Sequence, residues 1–371
     1  MSYETYEIMI PQDKREEINA KILAVIDGQV KDHEITPEDI FNSYTGRGGL
    51  HGLDFSDFDN YHQFSRAKKE YEIGQFFTPP HICRQLVNLV KPEVNALVCD
   101  PTCGTGNFFN FMPRQENCFG CEIDTQAFKV AHFLYPDAKI VNRDIRAYRP
   151  DVSFDYIFGN PPFNLDFSGM PSQLYFCLKS ADLLKPGGLL VFIAPLSFLN
   201  DDFANKSMIE QMNREFNFVL QYPLPPASFK ALGIDHFETK ILIFQKKSQH
   251  LDERPYVHDA FVSGFIEDLF DSHIAPLKQK NKEQRAKMLL ESAKDKDGFD
   301  YQVNKLLYQV KTNKKTAPDY ARCLEKVNTL KTQEKPYDLP WPEWEKAKLT
   351  PNKVIAYLRK VLKKQHLTEV D

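Results

Sequence analysis

Nowhere do eighteen apolar residues follow one another in this 371-residue chain, so no membrane-spanning helix is expected. A basic stretch leading into an apolar run is also missing from the start. Neither a secretory leader nor export is therefore expected, and the compartment expected is the cytoplasm. Cysteine occurs seven times, an odd count that argues against a disulfide framework. Excess positive charge is lacking too. The formal net charge of −4 excludes a surface that holds nucleic acid by uniform basicity. That deficit is uneven, however: residues 246–371 carry 25 Lys and Arg against 19 Asp and Glu, while residues 1–245 carry 22 against 32. The basic tail could supply phosphate contacts that the acidic part lacks. Lys311 to Lys315 and Arg359 to Lys364 are the candidate runs, each readable also as a solvated helix face.

What the chain does contain is a series of strands ending in polar residues. With 42% hydrophobic residues it can bury one large core and carry a smaller appendage. Residues 155–163 read Asp-Tyr-Ile-Phe-Gly-Asn-Pro-Pro-Phe, a strand-forming run that delivers Asn160, Pro161, Pro162 and Phe163 to a sheet edge. Asn160 can offer a side-chain oxygen, and Pro161, without an N–H, offers only its carbonyl. Two acceptors gripping the hydrogens of a planar amine push its nitrogen toward tetrahedral geometry and make it nucleophilic. The alternative is a strand end followed by a rigid Pro-Pro turn.

Upstream, residues 96–109 form an apolar strand, then Asp100, then a turn with Gly104 and Gly106 before an expected helix, where a ligand can approach the backbone. A second strand, Cys118 to Asp124, places Glu122 where a carboxylate reaches a ribose hydroxyl pair. The third, about Lys139 to Arg143, ends at Asp144, and the fourth ends at Asn160. In an open α/β sheet the carboxyl edge is where ligands sit, so the three acids and Asn160 should share one crevice.

In these motifs and their order the chain resembles the amino-group DNA methyltransferases that use S-adenosylmethionine, specifically the adenine-N6 class whose cofactor motif precedes the catalytic one. The resemblance spans about Gly74 to Lys247 and includes Gln75-Phe76-Phe77-Thr78-Pro79 ahead of the glycine turn. It implies a seven-stranded Rossmann-like methyltransferase sheet with helices on both faces, an N-terminal helical segment and a smaller, mainly helical C-terminal region. It further implies that Phe77 and Thr78 flank the methionine part of the cofactor, while Asp100, Thr102, Gly104 and Gly106 line it. Glu122 would bond the ribose, Ile123 would pack on the adenine ring, and Asp144 would accept from the cofactor's amino group. Asn160 to Phe163 match the catalytic signature, with Asn160 also bordering the cofactor. A neutral Asn at its head is the adenine form, whereas Ser-Pro-Pro variants more often mark cytosine-N4. Chemistry by direct displacement is expected on a base flipped out of the duplex, with Phe163 stacked on it.

Three regions are expected: a helical extension over 1–70, a catalytic domain over 71–247, and a charged region over 248–371 for target recognition or partner docking. In the first, Ile18, Ile22, Val25 and Ile26 have helical spacing, and Thr36-Pro37-Glu38 is a helix start. Tyr44-Thr-Gly-Arg-Gly-Gly-Leu50 then resembles a stretch preceding the methylase part of helicase–methylase proteins of mobile elements; without a following Lys-Ser or Lys-Thr it is not a nucleotide triphosphate loop. After the catalytic strand, Pro171 to Leu184 reads as a helix, Lys185-Pro-Gly-Gly188 as a turn and Leu189 to Ala194 as a fifth strand. Phe218 to Tyr222 and Thr239 to Gln245 would add a closing antiparallel pair. The connection from Pro223 to Glu238, with Pro225, Phe229 and His236, overhangs the base pocket or packs as a surface loop. Phe198 stacks on the base or belongs to the core. In the last region, helices are expected near 278–294 and 353–363, with an irregular aromatic segment at 336–344.

DNA is the expected substrate, with a separate specificity subunit or a restriction nuclease as candidate partners. An amine of guanine in RNA or of glutamine in a protein, and a non-catalytic scaffold, stay open as alternatives. No metal is expected. Cys99, Cys103, Cys118 and Cys121 imitate a zinc spacing but fall within the strands and the glycine turn, where they serve as small buried hydrophobes.

Overall fold

The computed structural model describes residues 2–6, 8, 10–30, 35–48, 53–72, 76–163, 165–201, 205–234, 238–248 and 251–283. Gln75, His236, both lysine-rich runs, the 336–344 segment and the 353–363 helix lie outside the described residues. Met1–Pro276 makes one compact unit; the second, Leu277–Asp371, is described only at 277–283, where it is helical. Among the described residues no helix is long and apolar enough to cross a membrane.

Seven strands build one sheet: β1 (Val98–Asp100), β2 (Cys118–Glu122), β3 (Lys139–Asn142), β4 (Phe154–Gly159), β5 (Leu184–Pro195), β6 (Phe216–Pro223) and β7 (Thr239–Lys246). Their order is β3-β2-β1-β4-β5-β7-β6. β1 to β5 are parallel, and β7 runs antiparallel to both β5 and β6. This is the seven-stranded, Rossmann-like methyltransferase sheet that the strand motifs imply.

Alternation along each strand divides the core into two layers, as a period of two requires. Val98, Tyr156, Phe158, Val191, Ile241 and Ile243 face one side, against α4 (Pro80–Val90) and α5 (Thr125–Leu134). Cys99, Ile157, Leu190, Phe192, Leu242 and Phe244 face the other, against α6 (Ser172–Leu183) and α7 (Lys206–Glu215). Covering both faces explains why the central strands read as nearly unbroken apolar runs. Cys99, Cys103, Cys118 and Cys121 are buried in these layers, and burial raises each thiol's pKa, to about 12 for Cys118 and Cys121.

Ahead of the sheet come α1 (Gln12–Ile26), α2 (Pro37–Ser43) and α3 (Tyr61–Glu72). Thr36 and Asp39 close a capping box on α2: the Asp39 N–H donates to Thr36 Oγ1 at 3.1 Å, and the Thr36 N–H donates to Asp39 Oδ2 at 2.8 Å. Tyr3 anchors the start of the chain, exchanging hydrogen bonds with the Asn110 side chain and donating its hydroxyl to the Leu134 carbonyl at 2.7 Å.

Two sequence expectations are corrected. No α-helix follows the glycine turn; a single 3-10 turn, Phe109–Phe111, takes its place. Phe108 and Phe109 pack against Phe158 and Tyr135, and Pro113 stops any continuation. The fifth strand begins at Leu184 rather than Leu189. Leu184 pairs with Phe154, a register shift absorbs Lys185 to Gly188, and Lys185 Nζ bonds Asp155 Oδ2 at 2.8 Å. The Pro223–Glu238 connection contains a 3-10 segment, Pro226–Leu232, with Phe229 buried.

A buried amine sits between β6 and β7. Lys240 is 0% exposed; its Nζ donates to Gln221 Oε1 at 3.0 Å and to the Tyr256 hydroxyl at 3.3 Å, with no carboxylate among these partners. Burial lowers its pKa to about 8. The fold therefore resists a proton that the unfolded chain binds freely. This penalty is full below pH 8, on the order of 3 kcal/mol, and fades as pH rises through the free-lysine range. Lys240→Met leaves Gln221 Oε1 still accepting from Tyr256 at 3.0 Å. It is expected to raise the unfolding free energy at pH 7 by about 1–3 kcal/mol and to abolish the gain in stability above pH 8. Urea unfolding at pH 7 and pH 10 checks this; a destabilised variant would contradict it.

Candidate active site

The strand order reverses between β1 and β4, and in open α/β sheets the carboxyl edge at such a reversal is where ligands bind. Register brings the expected residues into one row. Glu122 pairs with Asn142 across β2 and β3, Asp100 pairs with Gly120 across β1 and β2, and Cys99 pairs with Ile157 across β1 and β4. Asp144, Glu122, Asp100 and Asn160 thus follow the ends of four adjacent strands. Gly159 lets β4 lie close to Phe192 and Asp100: a Cβ there would lie 3.0 Å from Phe192 Cε1 and 3.4 Å from Asp100 Oδ1.

Asn160 is held by a residue 84 positions away, its Nδ2 donating to the Phe76 carbonyl at 3.3 Å. A carbonyl can only accept, so this contact fixes which end of the amide is nitrogen. The other end, Oδ1, is buried and has no hydrogen-bond partner among the described residues. A buried acceptor left in that state costs about 1–3 kcal/mol, so its retention points to a donor supplied from outside the chain. Downstream, the start of α6 staples the turn: Ser172 Oγ donates to the Pro162 carbonyl and Gln173 Nε2 to the Phe163 carbonyl. Pro161 is buried, while Pro162 and Phe163 are half-buried.

The glycine loop is shaped by its own acids. Thr102 N–H donates to Asp100 Oδ1 at 3.0 Å, Gly104 N–H to Glu122 Oε2 at 2.8 Å, and Asp124 N–H to Glu122 Oε1 at 2.8 Å. Gly104 and Gly106 have φ of +53° and +83°, left-handed values that favour glycine. A Cβ on Gly104 would lie 2.7 Å from Phe77 Cδ1, and one on Gly106 would lie 2.8 Å from the Tyr135 ring. The Phe77 ring is thus seated directly on the loop, and Thr78 beside it is buried and accepts from Asn107 Nδ2 at 2.9 Å.

Ile123 projects outward at 67% exposure, leaving an apolar side chain on which a flat ring could rest. Asp144 is engaged locally: Arg146 Nε reaches its two oxygens at 3.0 Å each, and these bonds hold its carboxyl below the usual range. Phe198 is buried among the residues under α6 and α7, which fits a core residue. Sequence reading did not find three supports of this site: the Phe76 carbonyl, the Ser172–Gln173 staple, and Tyr44, whose ring stacks on Phe77 at 6.0 Å and 29°. The first two are long-range backbone contacts without a residue-type signal. Tyr44 heads the glycine-rich stretch that was read as a loop.

Asp100 is 3% exposed, and burial raises its carboxyl pKa to about 7, offset in part by the Thr102 N–H and reinforced by the charge of Glu122. Between about pH 4 and 7 the unfolded chain gives up this proton while the fold retains it, so the fold loses stability as pH rises through that window. Asp100→Asn is expected to flatten the slope and to be more stable than the parent at pH 8 by a few kcal/mol, roughly 2–4. Chemical denaturation across pH 4–8 measures it. Superimposable profiles for variant and parent would contradict the assignment.

A family model described as N-6 DNA Methylase matches residues 60–322. Defense against restriction protein B of Escherichia phage P1 is 24% identical over 264 residues, 66% of this chain and 11% of that protein. Type II methyltransferase M.TthHB8I of Thermus thermophilus is 30% identical over 162 residues, 36% of this chain and 37% of that one. The chain therefore spans little more than a third of these relatives at most. Among solved structures, the methyltransferase subunit of a type I restriction-modification system from Streptococcus thermophilus aligns with a TM-score of 0.42 at 14% identity, covering 76% of each chain. With the family model spanning well over half of its length, the chain belongs to the N-6 DNA Methylase family.

Proposed function

We propose that this chain transfers a methyl group from S-adenosylmethionine to the N6 amine of an adenine flipped out of DNA. The observation that carries the reading is the buried, unpartnered Asn160 Oδ1 beside the crevice that Asp100, Glu122 and the glycine loop surround. When bound, S-adenosylmethionine supplies an electrophilic methyl on a sulfonium. The residues fit it. Gly104 and Gly106 let the loop close onto the Phe77 and Tyr135 rings, and Phe77 and Thr78 wall the methionine end. Thr102 lines the loop, Glu122 has lone pairs left for ribose hydroxyls, and Ile123 offers an apolar surface to the adenine. Asp144 can accept from the cofactor's amino group once its exposed, solvent-screened pair with Arg146 opens.

On the substrate side, Asn160 Oδ1 takes one amine hydrogen and the Pro161 carbonyl the other. Both are fixed dipoles, so positive charge developing on nitrogen is stabilised without reorganisation. The Phe76 contact keeps the amide from rotating, and the α6 staple holds Pro162 and Phe163 where the Phe163 ring can stack on the base. Extruding that base costs a few kcal/mol, which stacking and the two acceptors offset. Residues 71–247 are the catalytic domain in this reading. Residues 248–371 serve target recognition, or docking of a specificity subunit or nuclease.

Labelled cofactor offered with unmethylated duplex DNA, RNA or peptide tests the substrate class, and modification-sensitive sequencing of the DNA identifies the base. Label in N6-methyladenine of DNA is expected. Asn160→Ala should lose at least about 10²–10³ of the turnover while calorimetry still detects cofactor binding. Turnover close to the parent's in that variant, or label confined to RNA or peptide, would overturn the reading.

A further inference from the structure

Tyr44 lies outside the strand and turn motifs of the catalytic domain, yet its ring packs on Phe77 at the glycine loop. It follows α2, and the next four residues are pinned to α1. Thr45 donates from its N–H to Asn19 Oδ1 at 3.0 Å, Asn19 Nδ2 donates to the Gly46 carbonyl at 2.9 Å, and Arg15 Nη1 donates to the Gly48 carbonyl at 3.0 Å. Gly46, with φ of +61°, makes the turn this requires. α1 is in turn fastened to α5 by Lys129 Nζ and Asp27 at 2.7 Å, and α5 starts three residues after Glu122. The loop is therefore fixed beside the acidic edge.

Within it, Tyr44 is 7% exposed and its ring backs Phe77, whose other contact is Gly104. The hydroxyl makes no hydrogen bond to another described residue, and its oxygen is not among the fully buried unpartnered atoms. Burial, then the carboxylate of Asp124, opposed by Arg47 and aided by Glu122, holds it above the usual phenol range. It thus remains a neutral donor, and a chain of contacts runs from its ring through Phe77 and Gly104 to Glu122.

We propose that the Tyr44 hydroxyl is a second ribose partner beside Glu122, so that the N-terminal segment completes the cofactor site. This rests on the reading that the crevice binds S-adenosylmethionine. The ring holds Phe77 over the glycine loop, and the O–H bonds a ribose oxygen.

Calorimetric titration of the full chain with S-adenosylhomocysteine tests it. Tyr44→Phe is expected to weaken binding about 3- to 10-fold, the worth of one hydrogen bond, with the melting temperature of the free protein unchanged. Tyr44→Ala, which also releases Phe77, should weaken it by about 30-fold or more. With the 2′,3′-dideoxy analogue of S-adenosylhomocysteine, Tyr44→Phe and parent should bind equally. Parent-like affinity of Tyr44→Phe for S-adenosylhomocysteine, or a penalty that persists with the dideoxy analogue, would overturn the proposal. A parent that binds no cofactor would instead overturn the reading on which it rests.

Discussion

The hydrogen bond from Asn160 Nδ2 to the Phe76 carbonyl is the constraint from which the rest of the site follows. It spends the donor half of an amide on backbone and leaves the acceptor half buried, with its orientation settled. It also joins two segments that the sheet alone does not connect, because Phe76 precedes α4 while Asn160 follows β4. The same short stretch places Phe77 on the glycine loop. In the proposed reaction, one contact would therefore set the methyl-acceptor side and the cofactor side relative to each other, and transfer in line would depend on that relation.

Around this bond the fold supplies rigidity in layers. Gly159 lets β4 approach Asp100, the acid side chains tie down loop N–H groups, and the first residues of α6 hold the Pro162 and Phe163 carbonyls. Buried acids kept close together are costly, as the raised pKa of Asp100 and of Glu122 shows, with burial the leading cause for both. A site that retains such cost is arranged for binding rather than for stability alone.

Much of this was legible in the sequence because it is local. Apolar runs ending in Asp100, Glu122, Asp144 and Asn160 announce strands with polar carboxyl ends that share one edge. The helix expected after the glycine turn is absent because Phe108 and Phe109 turn to Phe158 and Tyr135, partners distant in sequence. The turn inside β5 hid a strand pairing that only the Phe154–Leu184 register reveals. Asp144 reads correctly as an edge acid, but its engagement with Arg146 depends on the geometry of a 3-10 turn. Tyr44 and Phe76 act across long separations, through a ring face and a carbonyl, and neither leaves a mark in composition or spacing.

The most direct measurement is a crystal structure of the protein with S-adenosylhomocysteine and a DNA duplex containing its target adenine. The account predicts an extruded base whose N6 lies within hydrogen-bond distance of Asn160 Oδ1 and the Pro161 carbonyl, with the cofactor sulfur on its far side. An Asn160 oxygen turned away from the base, or a cofactor seated elsewhere than over the glycine loop, would contradict it.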